Sequence, residues 1–281
     1  SGQNSRLFGR EAQVNVSGAY GTLYAGRLAS IASDSGSIGY LGDVSAFPNA
    51  FGIVGTQRGS TGSAYDRYDN TLAYQTPTFG GLEGAIMYSF KGDTTADYGT
   101  ENKSDADRYL AAGLRYKAGK AAVVLTGDMT MYGNAAKNVY HDVDNGYSFI
   151  LGGNYDFGVA KVFAKATYFD NQVNVLDSFD LISDSRDLKK AEALKGWGAE
   201  LGTNVPAFGG NFLAAVGYRD AKDVDDGSYK FKRWNAAVGY TYAFSKRTNV
   251  YGLAGYAQEK ANALDRKASG AQVGFGLVHK F

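Results

Sequence analysis

Hydrophobic and polar residues alternate along most of this chain. In the segment RWNAAVGYTYAF, every second residue from Trp234 to Phe244 is apolar or aromatic, and the residues between them are small or polar. A period of two is typical of a β-strand with one apolar face. The same pattern recurs and predicts thirteen strands, near residues 6–17, 21–30, 67–76, 82–91, 108–117, 120–132, 146–156, 159–169, 194–204, 211–220, 231–244, 248–257 and 270–281.

The connections between these strands alternate between short and long. The short ones contain SGAYG, TPTFGG, AGK, DFG, PAFGG and SKR, and the long ones cover 31–66, 92–107, 133–145, 170–193, 221–230 and 258–269. In an antiparallel meander, this order places all short connections at one end and all long ones at the other. Transmembrane barrels of the outer membrane have this asymmetry. The stretch 184–195 is the one candidate for a short helix.

The number of strands indicates which face of the sheet is in contact with water. About eight strands already enclose as much space as side chains can fill, so a barrel of thirteen has a water-filled lumen and turns its apolar face outward. No apolar run reaches the roughly 18 residues of a transmembrane helix. The pattern therefore predicts an all-β protein, a transmembrane antiparallel β-barrel that forms a single domain over residues 1–281.

Composition narrows the possible functions. The formal net charge is +1, which gives no basic excess for nucleic acid, and the absence of cysteine excludes disulfides. Two histidines offer no setting for nucleophilic catalysis, so we expect no enzyme and no cofactor. The acidic stretches HDVDNG (141–146) and DVDDG (223–227) contain oxygen ligands that suit calcium. Neither has the spacing of a calcium-binding loop, and we expect no metal site there.

An odd number of strands does not close an antiparallel barrel. With twelve reversals of direction, strands one and thirteen run the same way. Either the count of strands is wrong by one, or an odd number of strands is missing before the start of this chain. The chain begins almost directly in a strand, which fits the second explanation.

Several segments, in their order and spacing, resemble the general-diffusion porins of Gram-negative outer membranes, a family of sixteen-stranded trimeric barrels. They are RLFGREAQVNVSGAYGTLYAGR, RYDNTLAYQTPTFGGLEGAIMYS, YTYAFSKRTNVYGLAGYA and GFGLVHKF. The resemblance covers essentially the whole chain and implies that the first three strands are absent. It also implies a homotrimer in the outer membrane, embedded in the lipid bilayer. The C-terminal strand would carry the signal read by the outer-membrane assembly machinery, with Phe275, Leu277 and Phe281.

The resemblance further implies a constriction formed by the connection at about 31–66, folded into the lumen. In this family such a loop supplies acids, for which Asp34 and Asp43 are the candidates here. The expected Pro-Glu-Phe-Gly-Gly string is replaced by FPNAFGI, with Asn49 at the acidic position. Arg10 and Arg67 match positions of a basic ladder on the opposite wall. Further basic residues occupy the inward positions of their strands and are therefore expected in the lumen: Arg115, Lys117, Lys161, Lys165 and Arg219.

The predicted function is passive diffusion of ions and small hydrophilic solutes through a charged, water-filled constriction, with a mild preference for anions. Two alternatives remain open. In the first, the barrel mainly tethers the envelope through an N-terminal domain outside this chain. In the second, it is a substrate-specific channel with an aromatic track through the lumen.

Overall fold

The computed structural model describes residues 7–48, 53–55, 67–93, 100–101, 103–139, 143–173, 175, 181–182, 185 and 192–280. Thirteen antiparallel strands form one sheet in sequence order, with β1 and β13 at its two edges. All thirteen predicted strands are confirmed. They are β1 (Ala12–Gly18), β2 (Gly21–Ala29), β3 (Arg67–Gln75), β4 (Leu82–Ser89), β5 (Arg108–Ala118), β6 (Ala121–Met131), β7 (Gly146–Asp156), β8 (Lys161–Gln172), β9 (Leu194–Ala207), β10 (Gly210–Asp223), β11 (Lys230–Ala243), β12 (Thr248–Ala261) and β13 (Arg266–His279).

The two faces of the sheet have opposite character, and the apolar face is the exposed one. Leu151 on β7 and Val216 on β10 are more than half exposed, whereas Arg219 and Glu259 on the other face are completely buried. This arrangement is that of a transmembrane barrel, which turns apolar residues to lipid and polar residues inward. Among the described residues, none forms a helix that is long and apolar enough to cross a bilayer.

Strand boundaries differ from the sequence prediction mainly at one end of the sheet. The strands β12 and β13 extend to Ala261 and from Arg266, so their connection is the four residues 262–265 rather than the predicted 258–269. The extra residues include Lys260 and Lys267 on the outward face. An apolar residue is expected at an outward position of such a strand. Because lysine stands there instead, the alternating pattern ends early and the predicted strands are too short.

Two further differences concern residues outside the sheet. The strand predicted from residue 6 begins at Ala12. A short helix, α1 (Asn134–Val139), lies in the connection between β6 and β7, where none was predicted. Most of the helix candidate 184–195 lies outside the described residues, and its end at 194–195 belongs to β9.

The first part of the connection after β2, residues 30–48, folds into the concave side of the sheet. Residues 30–48 include a short 3₁₀ helix (Leu41–Val44), which contacts β6, β7 and β8. Its apolar residues Ile31, Ile38 and Leu41 are almost completely buried, together with inward residues of the strands. The sheet therefore curves around this segment, which we call the inner loop.

Candidate functional site

The inner loop lies along a row of glycines on the inward face of the sheet. A Cβ placed on Gly113 of β5 would lie 2.7 Å from Ile31, and one on Gly152 of β7 would lie 2.7 Å from Val44. These distances are too short for a real Cβ. On three more strands, a Cβ on Gly202 would lie 2.7 Å from Ala46, one on Gly239 would lie 3.1 Å from Phe47, and one on Gly255 would lie 3.1 Å from Val54, which follows the inner loop. Because these positions lack a side chain, the loop can lie directly against the wall of the lumen.

A group of four charged side chains fixes the inner loop to β4 and β5. Asp43 of the loop lies 2.9 Å from Arg115 Nη1 and 2.8 Å from Lys117 Nζ, each distance to one carboxylate oxygen. Arg115 also contacts Glu83 on β4 at 2.6 Å. Two carboxylates and two cations thus alternate across this part of the lumen, and we call them the Asp43 cluster. Lys117 is the most accessible member, with its side chain half exposed.

Tyr40 connects the inner loop to the same cluster. Its hydroxyl donates to Glu83 Oε1 at 2.9 Å, and the Arg115 guanidinium lies 4.5 Å from the centre of its ring. Burial raises the pKa of the Tyr40 hydroxyl well above its ordinary value. Tyr40 therefore keeps its proton and remains a donor to Glu83.

Glu11 holds the other end of the inner loop, and sequence analysis did not identify it. Its carboxylate accepts hydrogen bonds from the backbone N–H groups of Ala29 and Ser37, at 3.1 and 3.0 Å, and from the Ser37 hydroxyl at 2.8 Å. Glu11 precedes β1 and lies on the parity of Gln13, whose amide also donates to Ser37 Oγ. The signal in the sequence is an acid at a polar position of the strand pattern, but the residues that it binds are 18 and 26 positions away.

The four predicted constriction residues do not lie together. Asp43 is in the cluster described above, and Asp34 is buried in the inner loop, close enough to β8 to interact electrostatically with Lys165. Arg67 begins β3 at the end of the long connections. Gln75, eight residues later on that strand, donates to Glu83, so Arg67 is roughly 26 Å along the strand from the cluster. Asp43 is therefore paired with β5 residues rather than with Arg67.

Arg10 lies outside β1 and is exposed. Within β1, the even-numbered residues Val14 and Val16 point outward, since both are about 70% exposed, and the odd-numbered Gln13 contacts the inner loop. Arg10 is even-numbered like Val14 and Val16, so its position is an outward one. The structure accordingly places Glu11, rather than Arg10, next to the inner loop.

The basic residues predicted for the lumen all face inward, and most have acidic partners. Arg115 belongs to the Asp43 cluster. Lys165 contacts Glu200 at 3.3 Å, and Arg219 contacts Glu259 at 2.6 Å; all four of these side chains are nearly or completely buried. Lys161 lies over the ring of Phe163. Carboxylates on nearby strands and in the inner loop therefore neutralise much of the positive charge that is predicted for the inward positions.

An apolar cluster covers the inward face at the end of the long connections. Leu181 and Ile182, from the connection between β8 and β9, are buried against Phe169, Leu194 and Phe231. These two residues of the connection therefore lie against the inner wall of the sheet, at the end with the long connections.

The remaining predicted residues concern the chain end and metals. Phe275 and Leu277 are exposed on the outward face of β13, and Phe281 lies outside the described residues. In the acidic stretch 223–227, the Asp223 carboxylate accepts the backbone N–H groups of Asp225 and Asp226. In the described ranges, no three metal-ligating side chains come together.

Comparison with known proteins relates this geometry to one family. A family profile described as "Gram-negative porin" matches residues 1–262. An outer membrane porin protein of Bordetella pertussis is 32% identical, with an alignment that covers 100% of this chain and 74% of the relative.

Two solved structures have similar folds. The anion-selective porin from Comamonas acidovorans has a TM-score of 0.64 and 22% identity, over 98% of this chain and 78% of that one. The outer membrane protein OmpT of Vibrio cholerae, in a structure described as its trimer form, has a TM-score of 0.60 and 14% identity, over 95% of this chain and 79% of that one.

Proposed function

Since the chain belongs to the Gram-negative porin family, we propose that the inner loop and the Asp43 cluster form the constriction of its diffusion channel. The protein is an outer-membrane porin, and its channel allows ions and small hydrophilic solutes to diffuse across the outer membrane. The observation that supports the proposed constriction is the position of the inner loop. It lies inside the curved sheet, fixed to β5 by Asp43.

The mechanism needs no catalytic step. Charges fixed on the walls of a narrow aqueous passage act on passing ions through their field, and weak binding permits rapid passage. The low dielectric constant of the protein wall strengthens this field. Solutes would be selected by size at the inner loop and by charge at the Asp43 cluster.

We further propose a weak preference for anions. The carboxylates of Asp43 and Glu83 are both engaged by cations, whereas the Lys117 ammonium is half exposed. Lys161 adds a second inward lysine. Arg67 and Asp34 would act at other levels of the lumen, Arg67 near the mouth with the long connections. The fold neighbour from Comamonas acidovorans is described as anion-selective, which agrees with this direction.

A homotrimer is the proposed assembly. A structure of the fold neighbour OmpT is described as a trimer form. The outward face of β1 to β5 contains an apolar groove lined by residues such as Val14, Leu23, Leu72 and Ile86. Such a face suits contact with another copy or with lipid.

The reversal potential in a salt gradient tests the proposed selectivity. The purified protein is reconstituted in a planar bilayer with potassium chloride at two concentrations. We expect discrete conductance steps and a reversal potential of the sign that anion flow produces. A clear preference for cations would contradict the proposed role of Lys117, and the absence of conductance would contradict the channel itself.

A further inference from the structure

Two rows of lysines cross the outward face of β9 to β13, near the ends that carry the long connections. In the first row, Lys195 pairs in register with Lys222, which pairs with Lys230. In the second row, Lys232 pairs with Lys260, which pairs with Lys267. All six occupy the outward positions of their strands, whereas the inward residues between the two rows, such as Ala221, Phe231 and Ala261, are buried. We call these six residues the lysine rows.

Repulsion makes this arrangement costly without a counter-charge. Neighbouring strands are about 4.8 Å apart, and like charges directly opposite each other destabilise a sheet. Asp220, which lies 3.3 Å from Lys232 Nζ, is the one carboxylate on the outward face of β9 to β13 among the described residues. Further acids, Asp225, Asp226 and Asp265, lie in the connections beyond the strand ends. The outward face itself carries six cations and one anion.

Aromatic and apolar residues adjoin the lysine rows on the side of the sheet's centre. Trp197 is 5.5 Å from Tyr218, and Trp234 is 5.2 Å from Tyr256, as measured between ring centres. Tryptophan and tyrosine on the outward face mark the boundary between lipid tails and head groups. Farther along the same strands the outward residues are apolar, as with Val216 and Val238. The lysine rows therefore lie at the level of the head groups.

We propose that the lysine rows bind phosphorylated head groups of lipids in the outer leaflet of the outer membrane. Long connections of outer-membrane barrels are extracellular, which places these rows in that leaflet. A phosphate between opposite lysines can accept hydrogen bonds from both ammonium groups, and such charge-assisted hydrogen bonds are strong. The aromatic residues would then contact the acyl chains close to the head group. Charge complementarity is the reason for choosing a phosphorylated lipid rather than a neutral one.

Tryptophan fluorescence can report this binding directly. The chain has two tryptophans, Trp197 and Trp234, and both adjoin the lysine rows. The detergent-solubilised protein is titrated with lipid A, which carries two phosphates on a glucosamine disaccharide, and in parallel with its dephosphorylated form. We expect a saturable change of emission that is strong with the phosphorylated lipid and weakens as salt increases.

A triple variant with Lys232, Lys260 and Lys267 changed to glutamine tests the residues. The apparent affinity should fall on the order of 100-fold, since each lysine near an anionic surface contributes to attraction roughly additively. The same three positions changed to arginine should keep the affinity. A control with Lys120, Lys246 and Lys280 changed to glutamine has the same net charge, but these exposed residues lie at the end of the short connections. It should bind like the unchanged protein.

Each other outcome contradicts the proposal. Equal binding of the dephosphorylated lipid, equal loss in both glutamine variants, or complete competition by millimolar inorganic phosphate would each exclude a lipid head-group site. A change of oligomeric state in the first glutamine variant alone would instead indicate an interface between copies. Channel conductance, measured on the same samples, should not change in any variant. A failure of lipid binding can then be distinguished from a failure of the channel function.

Discussion

At the scale of single residues, the site depends on charges that occupy one face of the sheet but come from distant parts of the sequence. Asp43 binds two cations on β5, Arg115 and Lys117, that are more than seventy residues away in sequence. The alternation of inward and outward positions along β5 indicated correctly that both cations face inward. It could not indicate the pairing, because that depends on where the inner loop crosses the wall.

Replacement of Asp43 with asparagine should increase the preference for anions. The change removes one negative charge and releases Lys117 and part of Arg115 into the lumen. The ratio of anion to cation permeability should rise by up to about fivefold, since a unit charge at about 4 Å in water is worth roughly 1 kcal/mol. The reversal potential in a salt gradient measures this ratio.

The converse variant, Lys117→Gln, serves as the control for Asp43→Asn. It removes a positive charge from the same cluster, so the reversal potential should move in the opposite direction. If both variants move it in one direction, the Asp43 cluster does not set the selectivity.

Replacement of Arg219 with methionine should destabilise the barrel. Arg219 and Glu259 are completely buried and 2.6 Å apart, so the change leaves a carboxylate in the interior without this cation. The expected loss is about 3–5 kcal/mol in the free energy of unfolding, measured by urea-induced unfolding in detergent. The double variant Arg219→Met with Glu259→Met should recover part of this loss; recovery is not complete, because the buried Arg233, which is opposite both residues in register, loses the Glu259 carboxylate. A double variant as unstable as the single one would mean that the pair itself is not the cause.

At the scale of elements, the alternating pattern predicted the strands, whereas the inward fold of the inner loop was expected from the family resemblance alone. A period of two identifies a strand without knowledge of its neighbours, and this is why all thirteen were found. The errors at the ends of β12 and β13 arise where Lys260 and Lys267 interrupt the apolar parity. The path of the inner loop depends on close approaches, such as that of Val44 to Gly152, which no local pattern encodes.

The glycine row offers a direct test of the inner loop's position. Gly152→Val would place a side chain where Val44 lies, and overpacking of this kind typically costs about 1–3 kcal/mol. The loop should be displaced, with a lower free energy of unfolding and an altered single-channel conductance.

The adjacent Gly153 provides a matched control for the Gly152→Val variant. It lies on the outward parity, and a Cβ there would meet nothing closer than 3.4 Å. Gly153→Val should leave the conductance unchanged. Equal effects of the two variants would indicate that the strand β7, rather than the inner loop, responds to the added side chain.

At the scale of the whole molecule, orientation follows from the number of strands and the exposed apolar face. A sheet of thirteen strands is too wide to be filled by side chains, and its inward residues include charged groups such as Lys165 and Glu200. The family profile and the Bordetella pertussis relative agree with the resulting interpretation as an outer-membrane porin. Partner contacts and the solutes that pass cannot be derived from parity, because they depend on the shape of surfaces formed by several connections.

The size limit for solutes tests most directly whether the inner loop forms the constriction. Liposomes that contain the protein are exposed to sugars of increasing size, and their swelling rates are compared with those for a variant in which residues 34–46 are replaced by a short glycine–serine linker. If the inner loop narrows the channel, swelling falls steeply with sugar size in the unchanged protein, and the linker variant admits larger sugars. An identical size limit in both proteins would contradict the assignment of the constriction to the inner loop.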